Sequence, residues 1–312
     1  MMRGNEMSHE RETSREASSD GTDAVASQTA LDVDELVVGY PGADGPVIDG
    51  QTLAVPEGEV TALIGPNGSG KSTLLKALAN RLDPDDGRVL LDDRRVDSFD
   101  SKELARKLGR LSQQNTAPDT ISVEELVERG RYPHQGFFES QTDGDEEAVD
   151  EAIAMAGVEH LRDREVGTLS GGQTQLVWIA MVLAQDTDIL LLDEPTTFLD
   201  PRHQLEVMRV VERLRDESDT TVVLVLHDIS QAARYADNVV ALKAGTIYAN
   251  GPPEAVVTDD LLADVFDIDS EIIETKHGPV VVPLDPLVEH SRNETNESEM
   301  LQRGESSSNK QE

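Results

Sequence analysis

The chain has 312 residues, 37% of them hydrophobic, enough to bury a sizeable core in one large or two modest domains. Its 62 acidic and 27 basic side chains leave a net charge of −35, a surface that repels nucleic acid and anionic lipid head groups. There is no cysteine, no apolar leader in the opening MMRGNEMSHERETSREASSDG and no apolar run of membrane-spanning length. Disulfides, thiolate metal sites, a signal peptide and a membrane span are therefore not expected.

Acids crowd the body of the chain as well as its ends, over 83–93 and 143–150. Such self-repulsion fades in concentrated salt, where the Debye length at 1 M falls to about 3 Å. The composition thus predicts a salt-loving organism that keeps molar salt in its cytoplasm.

In chain order, residues 1–28 read as a disordered acidic tail, and the folded body is expected over 29–288. Strands are predicted over 31–38, 51–55 and 60–64. The third runs into Gly65-Pro66-Asn67-Gly68-Ser69-Gly70-Lys71-Ser72, which fits G-x-x-x-x-G-K-[ST], and Ser72-Thr73 opens a helix to Leu78. Strand, glycine loop and helix form the context this phosphate motif requires. The glycines let backbone N–H groups wrap phosphates, and the helix adds its N-terminal dipole. Lys71 brings charge to the β- and γ-phosphates, and Ser72 offers its hydroxyl to Mg²⁺. A strand over 88–91 and a helix over 101–108 follow. Gln113 then comes after a short apolar segment, where its amide can touch Mg²⁺ or an attacking water.

An inserted helical subdomain is expected over about 115–185, since strand signals vanish between 115 and 168. Ser122-Val123-Glu124-Glu125 fits a capping box for a helix to about Arg129, and a second helix over 146–156 ends at Gly157. Next come Leu169-Ser170-Gly171-Gly172-Gln173 and a helix from Gln173 to Leu183, whose Trp178 is assigned to the core.

Continuous apolar runs over 188–192, 221–226 and 238–242 predict buried parallel strands. Asp193-Glu194 closes the first run at a strand's C-terminal end, where sites in such sheets lie. Asp193 can hold Mg²⁺, directly or through water, and Glu194 can polarise the attacking water as general base. The competing reading is a pair of acids capping the next helix. His227 closes the second run, within reach of a γ-phosphate. After Gly251-Pro252-Pro253 come two short helices and a β-pair over 271–274 and 280–282, and 289–312 reads as a second disordered tail. The sum is an α/β fold: a P-loop NTPase core with an antiparallel β edge and an inserted α-helical subdomain.

Phosphate loop, LSGGQ, Asp193-Glu194 and His227 stand in the order found in ATP-binding-cassette (ABC) transporters, and the chain resembles their nucleotide-binding subunit over about 31–284. The resemblance implies an ATPase that binds ATP and Mg²⁺ and works as a homodimer. Nucleotide-binding residues would be Gly65, Pro66, Asn67, Gly68, Ser69, Gly70, Lys71, Ser72 and Thr73, with Tyr40 stacked on adenine. Ser170, Gly171, Gly172 and Gln173 of one subunit would face the γ-phosphate held by the other, and Asp200 would link the two sites. Glu194, His227 and Gln113 would be catalytic, with Ser72, Gln113 and Asp193 around the metal.

Where the family usually carries Arg-x-Arg after LSGGQ, this chain reads Thr174-Gln175-Leu176, which removes ion pairs from that helix. DNA-repair and translation ATPases share the motifs. Lys71 and Ser170 are only 99 positions apart (170 − 71), which leaves no room for coiled-coil arms, and a translation factor would carry two cassettes. Finer likeness points to importers of ferric siderophores, with cobalamin and haem as alternatives. It rests on Gly130-Arg131-Tyr132-Pro133-His134-Gln135-Gly136-Phe137-Phe138, the stretch Trp178 to Gln185, the run Thr196-Thr197-Phe198-Leu199-Asp200, His227-Asp228 with Gln231 to Ala236, and the closing Val280 to Leu284. Such a subunit would sit on the cytoplasmic face of the membrane with two permease subunits, served by an extracytoplasmic substrate-binding protein and no nucleic acid.

Overall fold

A computed structural model describes residues 28–135 and 142–287. The first predicted tail up to residue 27, the whole of the second, and Gly136-Phe137-Phe138 lie outside the described residues. Three strands open the body: β1 (Thr29–Val38), β2 (Ile48–Pro56) and β3 (Val60–Ile64). Helix α1 (Lys71–Leu78) follows β3, then β4 (Asp86–Leu91), β5 (Arg94–Arg95), α2 (Ser101–Lys107) and β6 (Leu108–Leu111). Three helices come next, α3 (Val123–Glu128), α4 (Asp143–Ala156) and α5 (Gly171–Leu183). The remaining core elements are β7 (Ile189–Leu192), α6 (Pro201–Glu217), β8 (Thr221–Val225), α7 (Ile229–Tyr235), β9 (Asn238–Lys243) and β10 (Thr246–Gly251). Two short helices, α8 (Pro253–Val256) and α9 (Asp259–Phe266), precede a hairpin of β11 (Ile268–Thr275) and β12 (Gly278–Pro286).

The main sheet has the order β10-β9-β3-β8-β7-β6, parallel except for β10, and a separate antiparallel sheet runs β2-β1-β4-β5. The central strands are buried on both faces, which is why they read as unbroken apolar runs. Alternation then decides the layer: Ala62, Ile64, Leu190, Leu192, Val222 and Leu224 pack toward the helical insert. Leu63, Leu191, Val223, Val225, Val240 and Leu242 pack with α1 and the antiparallel sheet. This sandwich fixes the C-terminal ends of β3, β7 and β8 side by side.

Local chemistry explains most element boundaries. Ser122 and Glu125 form the expected capping box on α3, and Gly157 ends α4 in the left-handed region at φ 71. Helix α4 begins three residues earlier than predicted, because Thr142 and Asp145 form a capping box of their own. The helix predicted over 101–108 stops at Lys107. Leu108 instead opens edge strand β6, drawn into pairing with Ile189 on β7. Trp178 is in the core as expected, within an α5 that is apolar on most of its surface. Helices α6 and α7 and strand β10 were not among the sequence predictions.

Candidate active site

Strand β3 delivers the phosphate loop through Gly65 at φ 146, where a side chain would collide with the Leu242 carbonyl of β9. Gly70, at φ 105, caps α1, and a Cβ there would press to 2.6 Å from Ile48. Only glycine meets both demands. The loop closes on its own lysine: Lys71 Nζ donates to the Gly65 carbonyl at 2.8 Å and to that of Pro66 at 3.0 Å. Burial lowers the Lys71 pKa, against the attraction of Glu194 and Asp193. Pro66, Asn67 and Gly68 form the accessible rim, while Ser69 is buried with its hydroxyl unpartnered among the described residues.

Ser72 Oγ donates to Asp193 Oδ1 at 2.8 Å across 121 positions of sequence. Asp193 is buried at the end of β7, and its other oxygen stands 4.0 Å from Arg110. A hydroxyl beside a carboxylate is a hard-oxygen donor pair suited to Mg²⁺. Among the described residues no group of three His, Cys, Asp or Glu side chains could hold a metal alone, so an ion here would complete its shell with phosphate and water oxygens.

Glu194 has a left-handed backbone, φ 54, and three polar neighbours. Its Oε2 accepts from Gln113 Nε2 at 2.8 Å and from Thr197 Oγ1 at 3.2 Å, and its Oε1 lies 2.9 Å from His227 Nε2. Gln113, Glu194 and His227, 114 positions apart at the extremes (227 − 113), therefore meet at one point. The reading of Asp193-Glu194 as helix caps is overturned, since the next helix is capped by Asp200. That carboxylate accepts from the His203 backbone N–H at 3.0 Å and meets His203 Nδ1 at 2.8 Å. The backbone N–H and then the imidazole lower its pKa.

Tyr40 is 43% exposed beside α1, its hydroxyl 3.4 Å from Thr73 Oγ1 and accepting from Lys76 Nζ at 3.2 Å. These contacts, the Thr73 hydrogen bond foremost, lower its pKa, and the Lys76 ammonium also lies over the ring, 5.5 Å from its centroid.

Ser170 caps α5, with Gln173 returning the bond in a full capping box. Gln173 is thus engaged in shaping the turn. Ser170 and Gly171 are exposed at the N-terminus of a 13-residue helix, while Gly172 is packed against the His203 ring so closely that no Cβ fits. The hydrogen bonds of this turn are local, and none reaches the phosphate loop of the same chain. Thr174 returns its hydroxyl to the Ser170 carbonyl, Leu176 enters the core, and Gln175 Nε2 donates to the Pro195 carbonyl at 3.0 Å. The helix that lacks the usual arginines is joined to the Glu194 loop by a neutral amide.

Sequence reading missed the rest of that network. Gln204 Nε2 donates to the Thr196 carbonyl at 3.3 Å, and Gln231 Nε2 to Gln204 Oε1 at 3.1 Å. Gln175 on α5 and Gln204 on α6 thus hold the two carbonyls that follow Glu194, and Gln231 on α7 holds Gln204. No local pattern marks them, since each contact spans 8 to 27 residues.

The profile of the ABC transporter family matches residues 48–197. The ferric enterobactin transport ATP-binding protein of Escherichia coli (strain K12) is 46% identical over 253 residues, 80% of this chain and 93% of that protein. The petrobactin import ATP-binding protein FpuD of Bacillus anthracis is 46% identical over 245 residues, 78% and 89% of the two. A solved dimeric bacterial ABC transporter cassette, MJ0796, superposes with a TM-score of 0.62 at 29% identity, over 72% of this chain and 98% of that one.

Proposed function

The chain belongs to the ABC transporter family as an ATP-binding subunit, and from that premise we propose that it powers the import of a ferric siderophore. It is an ATPase coupled to transport. Relatives at 46% identity named for enterobactin and petrobactin support the cargo class. The observation that carries the mechanism is the Glu194 carboxylate, held by Gln113, Thr197 and His227 beside Lys71, Ser72 and Asp193.

In this reading ATP displaces the Gly65 and Pro66 carbonyls from Lys71, whose ammonium turns to the β- and γ-phosphates, while adenine stacks on Tyr40. Ser72 and Asp193, with Gln113, would hold Mg²⁺, and the ion would draw negative charge off the phosphate oxygens. A homodimer closes so that Ser170, Gly171 and Gly172 of one copy cover the γ-phosphate seated in the other. Exposed N–H groups at the start of α5 suit that anion, and the strictly local bonding of this turn leaves it available to a second copy. Water then attacks in line. Its proton passes to Glu194, the bond from the γ-phosphorus to the bridging oxygen breaks, and ADP and phosphate form. His227 steadies the γ-phosphate, and Asp200 communicates between the sites.

No helix among the described residues is long and apolar enough to cross a membrane. Tyr132, 77% exposed, borders a cavity of about 280 Å³ with Pro133, Arg81, Arg110 and Arg129. We assign this groove to the cytoplasmic helices of a permease subunit, two of which would serve the homodimer, with the chain on the cytoplasmic face and an extracytoplasmic binding protein delivering cargo.

In a strain lacking the gene, the wild-type chain should restore uptake of labelled ferric siderophore, and Glu194→Gln should not. The purified variant should bind Mg-ATP, hydrolyse it at least about 100-fold more slowly and accumulate as a dimer. Near-normal turnover would remove Glu194 from its role. Restored uptake of cobalamin or haem in place of siderophore would overturn the cargo.

A further inference from the structure

Phe198 is 97% exposed, the most exposed of the large hydrophobic side chains described, and its backbone sits in the left-handed region at φ 64. Both features are unfavourable for an isolated subunit: an aromatic ring stands in water on a backbone conformation that a side chain resists. The chain has only five phenylalanines, and of the others described Phe99 is buried and Phe266 half-buried.

The loop that presents Phe198 is firmly braced. The carbonyls of Pro195 and Thr196 are held by Gln175 and Gln204, and the Thr197 hydroxyl bonds to Glu194. Leu199 turns inward against the core and Asp200 caps α6, whose His203 lies on the glycine of the LSGGQ turn. Phe198 therefore projects from a rigid loop between the catalytic carboxylate and the turn that a second copy must meet. A rigid, fully exposed aromatic in such a place has the character of an interface hot spot.

We propose that Phe198 is the apolar anchor of the ATP-closed dimer, buried against a second copy of this chain when the two half-sites shut. The inference rests on the half-site reading above. Two-fold symmetry makes the contact twice, so each closure buries two rings.

The test uses the full chain in the Glu194→Gln background with Mg-ATP, in molar KCl. Phe198→Ala should leave nucleotide binding by the monomer unchanged and weaken the dimer in sedimentation by about 30-fold or more. Phe198→Trp should restore the dimer, and its new indole emission should shift to the blue on ATP addition; Trp178 is buried already and gives a constant background. If the parent variant fails to dimerise, the half-site reading falls. If the parent dimerises and Phe198→Ala dimerises as tightly, or the emission of the Phe198→Trp variant moves only when permease is added, the anchor falls while the half-site stands.

Discussion

Lys71 shows how the site is prepared before nucleotide arrives. Its ammonium already lies inside the loop, satisfied by two carbonyls that a phosphate, with its full charge, would outcompete. Gln175 acts at a distance from the chemistry, through the Pro195 carbonyl next to Glu194. Gln175→Leu keeps the side chain's bulk and removes the N–H donor. We expect kcat to fall roughly 10-fold or more with the dissociation constant for ATP unchanged, because a misplaced base is costly while the phosphate loop is untouched. Steady-state ATPase assays beside equilibrium binding of a fluorescent ATP check this. Phosphate loop, Asp193-Glu194 and LSGGQ were legible in the sequence because each is a contiguous run with its own backbone geometry. Gln175, Gln204 and Gln231 were not, because neutral amides carry no meaning until folding gathers them behind the Glu194 loop.

At the scale of elements, helix α4 is secured at its start by a charge. Asp145 accepts from Thr142 within the capping box and from buried Arg131, whose guanidinium also donates to the Ala184 carbonyl at the end of α5. The Thr142 backbone N–H, then Arg131, hold the Asp145 carboxyl down to about 2. A depressed folded-state pKa contributes stability that is fully present above the ordinary value of 3.8 and lost as pH falls through about 2. Asp145→Ala should cost about 3–5 kcal/mol at neutral pH, since it leaves Arg131 buried without a carboxylate at hydrogen-bond distance. Asp145→Asn should flatten the loss of stability between about pH 4 and pH 2. Thermal melts across that range decide it. Capping boxes on α3 and α5 follow readable sequence patterns, whereas the exchange of helix for strand at Leu108 depends on β7, far downstream in the chain.

For the whole molecule, the charge of −35 is the governing quantity. The ion pairs described are largely exposed, as with Arg88 and Asp34 at about half exposure each, and pairs of that kind contribute little in water. Salt in the surrounding solution weakens repulsion among the remaining carboxylates. Melting temperature and ATPase rate should both rise steeply from dilute buffer to molar KCl. Equal values in the two would show that the acidity has no part in holding the fold.

The sequence alone determined the α/β cassette, its phosphate loop, its acidic strand end and the family they resemble, because those features are written in neighbouring residues and in the apolar runs of buried parallel strands. Tertiary structure decided which face each strand gives to which layer, the meeting of Gln113 and His227 on Glu194, and the glutamine bracing behind it. It also decided that Phe198, apolar by composition, stands in water. Those are contacts and exposures set by residues far apart in the chain, and only packing brings them together or keeps them apart.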